Sequence, residues 1–73
     1  MTKTITAVVL QNSPTELYKI LKFEGLASSG AEAKIIIAAG KVIVNGDIET
    51  RKRKKIIAGD TIEFEGNTLK ITI

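Results

Sequence analysis

The sequence predicts an α+β fold: two short packed helices against a small, mostly antiparallel sheet with two hairpins. Three observations carry this expectation. Two segments open on a Ser followed three residues later by a Glu and close on a Gly, at 13–25 and at 29–40, which marks short capped helices. Two dipeptides, Asn45-Gly46 and Gly66-Asn67, interrupt β-branched runs and signal hairpin turns. The apolar residues are mostly Ile, Val, Leu and Ala, so the core is expected to be aliphatic.

Seventy-three residues make one domain, 1–73, that buries only about 60% of the surface its unfolded chain exposes. There is no Cys and no His. Disulfides, thiolate nucleophiles, the usual zinc sites and imidazole acid–base chemistry are therefore excluded. No apolar run reaches the roughly 18 to 20 residues that span a bilayer. The first residues lack the pattern of a cleaved signal, and the expectation is a mature, cytoplasmic protein.

In chain order, residues 4–10 are short and β-branched and suit a strand. Their alternation is weak, and either a buried strand or a loosely held terminal one fits. Ser13-Pro14-Thr15-Glu16 predicts a helix that starts with Ser13 as cap and Pro14 in the first turn, and runs to about residue 24. Leu17, Ile20 and Leu21 form its inner stripe, and Phe23 is expected to pack near its end. Gly25 ends it and Leu26 packs back on Leu21. Ser29-Gly30-Ala31-Glu32 repeats the signal for a second helix over about 30–39, with Ala33, Ile36 and Ile37 inward, Lys34 in solvent, and Gly40 as the stop. A strand at 42–44 then enters the Asn45-Gly46 turn. A two-residue loop pairs Val44 with Asp47, and a three-residue loop pairs Val44 with Ile48; the residues leave both open. The return strand is expected over 48–52. In the second hairpin a loop at Gly66-Asn67 pairs Phe64 with Leu69, Ile62 with Ile71 and Glu63 with Lys70, which turns Ile62, Phe64, Leu69, Ile71 and Ile73 to the core.

Charge is concentrated in one place. The chain holds 11 Lys and Arg against 8 Asp and Glu. Arg51, Lys52, Arg53, Lys54 and Lys55 are consecutive; without them six basic residues face the eight acidic ones. Such a run is often only a solvated face. Here it contains no acid and is flanked by strands, which favours a surface for a nucleic-acid backbone. If extended, Arg51, Arg53 and Lys55 would point one way and Lys52 and Lys54 the other.

The ordered set Gly25-Leu26-Ala27-Ser28-Ser29, Glu32-Ala33-Lys34, Ile37, Ala39-Gly40, Val42-x-Val44-Asn45-Gly46 and Ala58-Gly59-Asp60-Thr61-Ile62 resembles the RNA-binding domain named after small-subunit ribosomal protein S-four, the αL motif. It covers about residues 15–65. The stretches around 24–34 and 46–59 resemble more narrowly its small stand-alone bacterial YbcJ-like members. The resemblance implies a module for structured RNA, whether ribosomal RNA, transfer RNA or small RNA, whose contacts come from both helices and the following hairpin. Ser29 and Lys34 match RNA-facing positions of the second helix, and Lys41 matches the basic residue after the helix-ending glycine. The family's frequent Arg at the start of the first helix is Glu16 here, and its Arg after the serines is Gly30; the run at 51–55 is a candidate substitute.

The candidate RNA-binding residues are thus Lys22, Ser29, Lys34, Lys41, Arg51, Lys52, Arg53, Lys54 and Lys55. Ser29 is first a helix cap, and Lys22, Lys34 and Lys41 each have an ordinary reading as surface lysines. Tyr18 and Phe23 are secondary candidates for base stacking. No carboxylate pair, P-loop or nucleophile motif points to catalysis, so no enzyme, metal or cofactor is expected. Neither is a membrane partner, for want of a basic amphipathic helix. A monomer is expected. The alternative is a protein–protein adaptor that sets the same basic face on an acidic partner.

Overall fold

A computed structural model describes residues 4–10 and 14–72. Its elements are β1 (Thr4–Val9), β2 (Thr15–Glu16), α1 (Leu17–Phe23), α2 (Gly30–Ala38), β3 (Ile43–Val44), β4 (Asp47–Ile48), β5 (Lys55–Ile56), β6 (Thr61–Phe64) and β7 (Asn67–Thr72). Five strands form one sheet in the order β1-β7-β6-β3-β4, and β2 with β5 form a second, two-stranded one. Pairing is antiparallel except between β1 and β7, which run parallel from Thr4–Asn67 to Val9–Thr72. The expected α+β class is the observed one. β1 is an edge strand with one covered face: Val8 is buried while Ile5 and Val9 are exposed.

The start of α1 differs from expectation. Ser13, the expected cap, lies outside the described residues, as does Ile73. Pro14 is not helical, and Thr15 and Glu16 are extended and pair with Ile56 and Lys55. Glu16 is the N-cap and makes no side-chain cap bond. The reason is a backbone substitute. The N–H groups of Leu17 and Tyr18 donate to the carbonyls of Lys54 (2.9 Å) and Lys52 (3.2 Å), so the open first turn is satisfied by the neighbouring loop. α2 follows the expectation: the Glu32 N–H donates to Ser29 Oγ at 3.1 Å. The Glu32 carboxylate accepts from the Ser28 hydroxyl, rather than closing the box on Ser29.

Both helices end alike. Gly25 (φ 75°) and Gly40 (φ 76°) are left-handed, which costs glycine little. Leu26 N–H donates to Leu21 O and Gly25 N–H to Lys22 O; Lys41 N–H reaches Ile36 O and Gly40 N–H reaches Ile37 O. Each end is the doubly bonded motif that satisfies the last carbonyls.

The first hairpin takes the two-residue loop, with Val44 opposite Asp47 and Ile43 opposite Ile48. The second departs from expectation. Its loop is Glu65-Gly66, not Gly66-Asn67, so Phe64 faces Asn67, Ile62 faces Leu69, Glu63 faces Thr68 and Thr61 faces Lys70. Glu65 (φ 48°) and Gly66 (φ 80°) both have positive φ, matching the twist of the flanking strands. This register also begins β7 at Asn67, early enough to pair along the whole of β1. Because the slip is two residues, the faces are unchanged: Ile62, Phe64, Leu69 and Ile71 are buried as expected.

The two turns beside β6 are tied together. Asn45 donates through Nδ2 to Asp60 Oδ1 and accepts at Oδ1 from Thr61 N–H, both 2.9 Å. Asp60 Oδ2 accepts from the Ile57 N–H. Leu17, Ile20 and Leu21 of α1 meet Ala33 and Ile37 of α2 over the sheet's inner face. Ile36 is only half-buried and Phe23 is exposed, both short of the burial expected from sequence. Ile37→Ala, at a fully buried position, is expected to destabilise by about 2–5 kcal/mol, with a smaller loss for Ile36→Ala. Denaturant titration of the two variants checks the ranking.

Candidate nucleic-acid interface

The basic run is not extended. The Lys54 N–H donates to Arg51 O at 3.2 Å, closing a turn with Lys52 and Arg53 at its tip, and only Lys55 enters a strand. The return strand also stops early, at Ile48. The alternating ranks expected for 51–55 are therefore replaced by a fan. The physical reason is the helix beside it: a turn can aim the Lys52 and Lys54 carbonyls at α1's open N–H groups. Its carbonyls turn inward, Arg51, Lys52 and Arg53 are exposed and Lys54 is half-buried, and Arg53 reaches Glu16 at the helix start.

Each cation has a different setting. Arg51 lies in a two-pronged pair with Glu49: Nε to Oε2 and Nη2 to Oε1, both 3.0 Å, with the Arg51 N–H also on Oε2. These hydrogen bonds from Arg51 hold the Glu49 carboxyl down at about 2, from an ordinary 4.5, and raise Arg51 above its ordinary value. Arg51 is thus largely neutralised. Arg53 pairs with Glu16 at 3.2 Å, and Lys19 reaches the same carboxylate at 3.3 Å. Among the described residues Lys22, Lys34, Lys41, Lys52, Lys54 and Lys55 form no ion pair.

Lys34 was expected in solvent. Instead it is half-buried, with its ammonium 4.6 Å from the centre of the Tyr18 ring. The Arg53 guanidinium and the Lys19 ammonium lie 5.8 and 5.9 Å from the same ring. The ring also lies beside the start of α2: a Cβ at Gly30 would sit 3.7 Å from it. Tyr18 is therefore packed between the helices, and not the free stacking platform considered from sequence.

The candidate residues divide accordingly. Lys34 and Arg53 meet at Tyr18, with Ser29 beside Gly30 at the start of α2, and Lys52 and Lys54 occupy the adjoining turn. Lys55 lines a groove of about 550 Å³ together with Glu16, Lys19, Phe23 and Val9. Lys41 lines a shallow cavity of about 200 Å³ with Glu63 and Glu65. Lys22 is in the last turn of α1. Sequence reasoning did not single out Lys19 as part of the surface, nor Tyr18 as its centre. No local pattern links Tyr18 to Lys34 or Arg53; only the tertiary corner does.

A helix corner that runs through a glycine stop into a Val-x-Val-Asn-Gly hairpin, with a basic face beside it, is the architecture of the αL motif. The chain belongs to the S4 domain family, whose model matches residues 8–72. It is similar to YbcJ of Escherichia coli (strain K12), provisionally named an RNA-binding protein, with 54% identity over 77% of this chain and 80% of the relative. A Bacillus subtilis (strain 168) protein, named with the same reserve as the ribosome maturation protein RlbA, shares 34% identity over 68% of this chain and 70% of its own. The solution structure of E. coli YbcJ, described as revealing an αL motif involved in RNA binding, superposes with a TM-score of 0.70 at 47% identity, covering 92% of this chain and 86% of that one.

The Glu49–Arg51 pair makes a pH prediction. A carboxyl depressed in the folded state stabilises fully above its unfolded value and loses that contribution as pH falls through its folded value. The contribution is therefore present above about pH 4.5 and lost towards about 2. A carboxyl-carbon NMR titration should place the Glu49 midpoint near 2 in the wild-type chain, and Arg51→Gln should return it towards 4.5.

Proposed function

We propose that the chain is an RNA-binding module that grips folded RNA by its phosphates. The observation that carries this reading is the convergence of cations from three elements at the corner of α1, α2 and the basic turn, in excess of the carboxylates beside them. Lys34 and Lys52 form no ion pair among the described residues, Lys54 feels Glu49 only through its field, and Arg53 and Lys19 share one carboxylate. A backbone phosphate is the ligand that such a surface fits, because Arg offers paired N–H donors and Lys a mobile point charge. The names of the E. coli and B. subtilis relatives support the same reading, and the latter favours ribosomal RNA as the class.

Phosphate contacts supply affinity but carry no sequence information. Preference then comes from the shape of a folded RNA, to which a rigid corner of two helices and a turn is suited. The chain works by binding rather than by catalysis.

The test is a salt titration. With three to five phosphates engaged, log K against log salt should fall with a slope of roughly −2 to −4. The double change Lys52→Gln with Lys54→Gln should flatten that slope by about 1 to 2. The melting temperature should hardly move, because the helix-capping groups at these positions are backbone carbonyls. Equal slopes for wild type and variant, or tight binding only to an acidic protein, would favour the adaptor instead.

A further inference from the structure

We propose that Tyr18 is a positioning residue of this surface, whose ring gathers Lys34, Arg53 and Lys19 into one seat for a single backbone phosphodiester. The inference rests on the RNA reading above and assigns that reading a specific contact point.

Three cations lie within about 6 Å of one ring, the reach of a cation–π attraction: Lys34 at 4.6 Å, Arg53 at 5.8 Å and Lys19 at 5.9 Å. They come from α2, the basic turn and α1. Like charges gathered around one ring repel one another, so something must hold them. Glu16 contributes one negative charge, bridging Lys19 and Arg53. One carboxylate against three cations leaves two positive charges uncompensated. The ring makes up the difference by its quadrupole, which attracts a cation without cancelling its charge.

That distinction separates Tyr18 from Glu49. The carboxylate of Glu49 orders Arg51 and neutralises it. The Tyr18 ring orders Lys34, which has no ion pair among the described residues, and leaves its charge available. The ring is half-buried against the core, facing the bare Cα of Gly30, where a Cβ would lie 3.7 Å from it, and the Tyr18 backbone is held by its amide N–H on Lys52 O. The seat is therefore assembled before a ligand arrives, which lowers the ordering cost of binding. A phosphodiester fits it: Arg53 can engage two oxygens and Lys34 can approach as a point charge.

The experiment compares Tyr18→Phe, Tyr18→Leu and Lys34→Gln in the whole chain, binding a stem-loop RNA at several salt concentrations. Tyr18→Phe keeps the ring and should bind within about twofold of wild type. Tyr18→Leu should weaken binding roughly threefold to tenfold at every salt concentration with the slope unchanged, because it removes order and not charge. Lys34→Gln should instead flatten the slope by about 0.7 to 0.9. Proton NMR supplies a separate reading of the ring's place over Lys34, taken on variants whose amide spectra show a folded chain. The Lys34 ε-methylene protons should be shifted upfield by the ring in wild type and Tyr18→Phe, and should return to their ordinary position in Tyr18→Leu. In the wild-type chain those protons and the Tyr18 ring protons should move together when inorganic phosphate is added. Wild-type affinity in Tyr18→Leu, equal weakening in the Phe and Leu variants, or Lys34 and Tyr18 signals that ignore phosphate would overturn the assignment. A wild-type chain that binds no RNA contradicts the RNA reading itself; a wild type and Leu variant that bind equally contradict only the role of Tyr18.

Discussion

Everything on the basic face depends on two hydrogen bonds, from the Leu17 and Tyr18 N–H groups to the carbonyls of Lys54 and Lys52. A seven-residue helix is too short to persist alone in water, and its first turn exposes donors that must find acceptors. Consecutive basic residues beside a helix start are electrostatically awkward, since that end of the helix is itself positive. The turn resolves this by presenting carbonyl oxygens to the helix and ammonium groups to solvent. The two-residue ladder between β2 and β5 then holds turn and helix in register, so the cations have a defined place relative to α2.

The rest of the fold keeps that corner in position. The short loop between the helices is pinned by the doubly bonded end of α1, and buried Ala27 anchors it to the core. The Asn45-Gly46 and Gly59-Asp60 turns, which look like surface signals in the sequence, are structural locks: one side chain of each bonds the other, and Asn45 also accepts from β6. Asn tolerates the left-handed conformation it holds there, φ 52°, while supplying both a donor and an acceptor. The charged groups are thereby left to the surface, and the interior among the described residues is aliphatic apart from Phe64.

How far the sequence revealed this follows from the range of each interaction. Features fixed within a few residues were legible: the Ser29 cap, the glycine ends of both helices, the Asn45-Gly46 turn and the inward alternation of Ile62, Phe64, Leu69 and Ile71. Features decided by a distant partner were not. The Ser-Pro-Thr-Glu signal suggested a helix start at 13, but a strand partner at Lys55 and Ile56 draws Thr15 and Glu16 into a ladder. Gly66-Asn67 was a reasonable turn on local grounds, yet Glu65-Gly66 gives the twist and lets β7 pair fully with β1. The basic run was visible as charge, but its shape was not, because the helix it caps lies far back in the chain. The same applies to Tyr18, whose neighbours are gathered only by the packed corner. The ordered motifs marked the resemblance to the αL type, which the S4 domain match and the YbcJ structure bear out.

The most direct measurement of the central claim is an amide chemical-shift map of the isotopically labelled chain, titrated with a stem-loop RNA. The account predicts that perturbations concentrate on residues 29–34 and 51–55 and on Tyr18, the corner joined by the helix-capping carbonyls. Perturbations confined to the exposed edge of β1, around Ile5 and Val9, with the corner unmoved, would contradict it.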